Sequence, residues 1–93
     1  MTDDGAQVDE WIEIADRPTE TWRRNSGTPV VRGCFVWFEP SRSQTGEPWL
    51  AGYLDYRAGV DRSVPGSNTV TRSFPGRAEG QAWIDEVIAR ERG

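Results

Sequence analysis

Few residues in this 93-residue chain are equipped for chemistry. There is one cysteine, Cys34, and no histidine anywhere to activate it, so the thiol lacks the base that a cysteine nucleophile needs. In an apolar run, a lone Cys is expected to be a small buried hydrophobe. The carboxylates Asp9, Glu10 and Glu13 stand close together. On a helix, Asp9 and Glu13 share the wet face, where such a run solvates rather than ligates. One Cys and no His leave no zinc set, and no glycine-rich phosphate loop precedes a helical segment. No catalytic group, metal or cofactor is expected, and the chain is read as a non-catalytic protein that works by binding.

Arginine is the other candidate chemistry. All eleven basic residues are Arg, a bias that points to a GC-rich coding sequence of actinobacterial, phage or similar origin. Arg57, Arg62, Arg72 and Arg77 fall on or beside the extended segments described below, and Arg32 and Arg42 can join them. Cations so placed bind a phosphate backbone by releasing counterions. Against this, residues 30–93 carry eight charges of each sign, and the whole net charge of -4 sits in residues 1–29. A negative total slows encounter with nucleic acid. Arg23 and Arg24 beside Trp22 read either as a small nucleic-acid or partner contact, with Trp22 a stacking surface, or as a solvated turn with one packed aromatic.

The elements that must position these groups follow from periodicity. Val8, Trp11, Ile12 and Ala15 lie at i, i+3, i+4, i+7 and predict a helix over Ala6–Asp16, ended by Pro18. The competing reading is a strand from Trp11 to Ala15 with Ile12 and Ile14 on one face. Residues 17–28 read as a connection with a helical turn. Pro29–Glu39 and Trp49–Arg57, rich in β-branched and aromatic residues, predict two strands around a polar loop. Thr69–Phe74 alternates and predicts a third. Beyond Pro75 and Gly76 a helix is expected from Arg77 to about Arg92, with Ala78, Ala82, Trp83 and Val87 toward the sheet. Domain organisation follows: an acidic N-terminal helix or segment and connection (1–28), then a three-stranded sheet plus helix (29–93), together one domain. The class is α+β: a three-stranded antiparallel sheet on a C-terminal helix, with the N-terminal segment partly covering the other face.

From about Arg32 to Glu91 this order, sharpest over Thr71-Arg72-Ser73-Phe74-Pro75-Gly76-Arg77-Ala78-Glu79-Gly80-Gln81-Ala82-Trp83-Ile84, resembles the N-terminal arm-site-binding domains of phage and mobile-element tyrosine integrases. The resemblance implies a sheet laid into the major groove of double-stranded DNA with the helix behind it. It further implies Arg57, Arg62, Arg72 and Tyr56 as DNA contacts, with Thr71 a lesser one.

The residues themselves also support another partner. If Trp49, Ala51 and Tyr53 face the helix, the outward set is Leu50, Gly52, Leu54 and Tyr56, and the first strand is apolar on both sides. A sheet apolar on both faces is covered on both. The cover is either the N-terminal helix or a partner, a second copy or another protein, meeting Leu50, Leu54, Tyr56 and Trp22. No apolar run is long enough to cross a membrane, the acidic N-terminus is unlike a signal peptide, and the lone Cys suits a reducing compartment. The cytoplasm is the expected location.

Overall fold

The computed structural model describes residues 10–56, 63 and 68–92. It is α+β: one antiparallel sheet of five strands in sequential order, with a single helix across one face. The strands are β1 (Ile12–Glu13), β2 (Thr21–Arg24), β3 (Val31–Phe38), β4 (Trp49–Asp55) and β5 (Thr69–Phe74), and the helix is α1 (Arg77–Arg92). A 3₁₀ turn, Pro40–Thr45, joins β3 to β4 and ends at Gly46, whose φ of 80° is open to glycine without strain.

Two of the five strands depart from the favoured reading of the sequence, although β1 falls within the competing strand over Trp11–Ala15. The helix expected over Ala6–Asp16 is absent from its described part, where Ile12 pairs with Arg23 and Glu13 with Trp22. Residues 1–9 lie outside the described residues. The reason is the period. Extended backbone sends Trp11 to the helix side, where its indole N–H donates to Asp85 at 3.1 Å, and Ile12 to the opposite side. A helix would have put both on one face. The segment expected to be a connection likewise contains β2, whose Arg23 and Arg24 stand opposite Phe35 and Cys34. Residues 12–24 therefore lengthen the sheet sideways instead of lying over it.

The core lies between β3, β4 and α1: Val31, Cys34 and Val36, Ala51 and Tyr53, and Ile84, Val87 and Ile88. Val31 and Cys34 are three residues apart and would fall on opposite faces of an unbroken strand. A bulge between Arg32 and Phe35, with Gly33 at φ 59°, absorbs one residue and returns both to the core. The helix comes closest to the sheet at Gly80. A Cβ there would stand 3.3 Å from Val36 Cγ1 and 3.4 Å from Ala51 Cβ. Hence the buried helical face is Gly80, Ile84, Val87 and Ile88, while Ala78 and Ala82, expected to pack inward, are exposed. Trp83 packs against the core's margin.

Two polar clips fasten the layers. Arg24, buried on β2, binds the Asp85 carboxylate on α1, and its Nε donates to the Asn25 carbonyl. At the other end Arg77 stacks over the Trp22 ring at 4.7 Å and donates to Glu20 at 2.6 Å. The Trp22 indole N–H donates to the same Glu20 oxygen at 2.7 Å. These two bonds, Trp22 first, hold the Glu20 carboxyl below its ordinary range.

Candidate binding surface

Pairing register divides the sheet's side chains between its faces. Opposite α1 stand Ile12 of β1, Thr21 and Arg23 of β2, and Phe35 and Trp37 of β3. Leu50, Gly52 and Leu54 of β4 and Thr69, Thr71 and Ser73 of β5 complete this face. No described element packs over it. Its apolar centre is made by Phe35, Trp37, Leu50 and Leu54, all half-buried. The Trp37 indole reaches diagonally to Gly52, its Cζ3 3.8 Å from where a Cβ would stand. Any side chain at Gly52 would meet the Val70 carbonyl at 3.2 Å, so the glycine makes the floor on which the indole rests.

Two hollows flank this ridge. One, of about 510 Å³, is lined by Arg17, Pro18, Thr21, Phe35, Trp37 and Glu39. The other, of about 150 Å³, is lined by Gly33, Phe35, Trp37, Gly52, Leu54 and Thr71.

The strand positions of this face carry charges of one sign. Its strand positions hold Arg23 beside Phe35 and Arg32 opposite Leu54, and no carboxylate. Arg17 adds a third cation at the larger hollow, whose wall also includes Glu39. None of the three makes a side-chain hydrogen bond or ion pair with a described residue. The rim carboxylates, by contrast, are engaged. Glu39 accepts from the Ser41 hydroxyl at 2.8 Å, and Glu47 from the Ser73 hydroxyl at 2.9 Å.

The structure brings together only part of the residue set expected from the sequence. Leu50, Leu54 and Thr71 share the open face. Arg72 does not: it stands opposite Ala51 on the helix side, with its guanidinium 5.4 Å from the Phe74 ring centre and 6.0 Å from that of Trp83. Trp22 is also on the helix side, in the clip with Arg77. Tyr56, half-buried, follows β4 and donates its backbone N–H to the Val30 carbonyl at 2.8 Å. Arg57 and Arg62 lie outside the described residues. Phe35, Trp37 and Arg17 are not among the contacts expected from the sequence, and Arg23 is there only as half of the Arg pair beside Trp22. For Phe35 and Trp37 the alternation of the first strand was the available signal. For Arg23 it was not, because β2 was read as a connection.

Cys34 sits on the other side of the same strand, 1% exposed. Burial, only partly offset by Arg24, pushes its thiol up to about 11, which keeps it protonated and inert. Among the described residues no group of three His, Cys, Asp or Glu is placed to hold a metal ion, and no helix is long and apolar enough to cross a membrane. No family model matches the chain, no curated protein matches it, and no solved structure matches it.

Proposed function

We propose that this is a non-catalytic protein–protein interaction module whose working surface is the open face of the sheet. The observation that carries the reading is an apolar ridge, Phe35, Trp37, Leu50 and Leu54, that no described element covers. Completing the burial of four half-buried side chains is worth on the order of 1 kcal/mol each. The two hollows offer seats for a partner's side chains, and the aromatic and arginine composition is that of interface anchors. The test is paired affinity capture from the producing cell with wild type, Phe35→Ser/Leu54→Ser and, as a control on the exposed side of α1, Glu86→Ser. A protein retained by wild type and control but lost by the double variant is expected. Equal retention by all three overturns the reading.

Double-stranded DNA, which the resemblance to integrase arm-site domains implies, is the second reading. It is favoured by Thr71 sharing a face with Arg23 and Arg32. It ranks second because Arg72 turns to the other side and the outward residues of β4 are apolar. A fluorescence anisotropy titration with duplex DNA at low salt separates the two. Micromolar binding abolished by Arg23→Ala/Arg32→Ala favours DNA, and its absence removes it.

A further inference from the structure

Three guanidinium groups border the apolar ridge, and each is without a partner among the described residues. Arg23 stands next to Phe35, Arg32 across from Leu54, and Arg17 at the mouth of the larger hollow. Elsewhere in the molecule Arg is used differently: Arg24 is matched by Asp85, Arg77 by Glu20, and Arg72 lies over aromatic rings. Glu39, which lines the larger hollow with Arg17, accepts a hydrogen bond from the Ser41 hydroxyl, and Glu47 from the Ser73 hydroxyl. The chain is acidic overall, at -4, yet the strand positions of its uncovered face hold Arg23 and Arg32 and no carboxylate.

That local inversion selects among occupants. A second copy docking face to face would bring two patches with cationic strand positions together, because a two-fold contact uses the same patch on both subunits. Like charges so opposed are a specificity barrier. A wholly apolar segment would fill the hollows but leave the guanidiniums to be desolvated without compensation, a cost that grows with burial. A segment with carboxylates beside its apolar anchors meets both demands, and Arg engages carboxylates in paired, directional hydrogen bonds.

We infer that the occupant of this face is an acidic protein segment, with aliphatic or aromatic side chains seated in the hollows beside Phe35 and Trp37 and carboxylates bound by Arg17, Arg23 and Arg32. This rests on the reading of the open face as a protein-docking surface and adds the partner's chemistry.

The test uses the full chain, immobilised, to select from a random dodecapeptide display library, followed by affinity measurement for the enriched peptides. Enriched peptides are expected to pair Asp or Glu with apolar residues. They should bind Arg17→Gln/Arg23→Gln/Arg32→Gln about tenfold or more weakly, a loss of roughly 1.4 kcal/mol or more. Salt titration of the wild type gives a readout that does not depend on the variant folding: affinity should fall as ionic strength rises. Enriched peptides without acidic bias, whose binding is indifferent to salt and to the three substitutions, overturn this inference while leaving the docking surface standing. No enrichment above that on Phe35→Ser/Leu54→Ser overturns both. Retention of a short oligothymidylate in place of peptides, lost with the same three arginines, overturns both in favour of nucleic acid.

Discussion

Substituting Gly80 by Ala tests the closest approach in the fold. In an exposed helix interior this change stabilises by about 1 kcal/mol through helix propensity alone. Here the new methyl would sit 3.3 Å from Val36 Cγ1, 3.4 Å from Ala51 Cβ and 3.5 Å from Phe74 Cδ2, at or inside the roughly 3.5–4.0 Å optimum for carbon contacts. Ala51 Cβ is fixed to the backbone of β4 and cannot rotate away, so α1 must move outward. Overpacking of this kind costs about 1–3 kcal/mol. The balance is a net loss of about 1 kcal/mol, or a fall in Tm of roughly 4–8 °C for a domain of this size. Gly80→Val, with two further methyls and a smaller propensity gain, should lose about 3 kcal/mol. Removing Val36 Cγ1 relieves the tightest contact, so in a Val36→Ala background Gly80→Ala should become neutral or favourable, a coupling of about 1 kcal/mol. Urea denaturation of the four proteins measures the cycle. If Gly80→Ala raised Tm in the wild-type background, helix and sheet would not be in contact at this point.

Three further outcomes follow. Asp85→Asn leaves the Arg24 guanidinium buried against a neutral group and should cost about 1–3 kcal/mol, discounted because the Asp85 side chain is 47% exposed, whereas Arg24→Met should lie within about 1 kcal/mol of wild type; chemical denaturation ranks them, and the reverse order contradicts the clip. Ile84→Ala, at a fully buried position, should cost about 2–5 kcal/mol and Leu54→Ser no more than about 1 kcal/mol, so a melting experiment in which Leu54→Ser is the worse variant would mean that the face called open is covered. The Cys34 thiol should resist a disulfide reagent until the protein unfolds; because burial raises it from 9.0 to about 11, its contribution to stability is intact below pH 9 and lost as the pH rises through 11, a loss that Cys34→Ala should reduce.

The C-terminal half was legible because its signals were local. The alternation of Thr69–Phe74, the Pro75-Gly76 break and the helix over Arg77–Arg92 are each contained in a single segment. The N-terminal third was not. Val8, Trp11, Ile12 and Ala15 satisfy a helical period on paper. The choice was made at a distance: strand pairing with β2 and the bond from Trp11 to Asp85, 74 residues away, favour extended backbone. β2 itself is four residues, too short to display a period. The buried face of the helix is hidden from the sequence for a related reason. Gly80 looks like a weak point in a helix until the sheet beneath it requires that no side chain be there. The candidate surface was half readable: the apolar alternation of β3 and β4 marked Leu50 and Leu54. The cations beside it come from β2, from the bulge at Gly33 and from the turn at Arg17, and only the folded register brings them together.

What touches Phe35 decides whether the open face is a protein-docking surface. A photo-crosslinking amino acid placed there in the producing cell, with Glu86 as the control position, should give a discrete protein adduct at Phe35 and none at Glu86. Adducts equal at both positions, or a Phe35 adduct with nucleic acid alone, would contradict the assignment of the open face as a protein-docking surface.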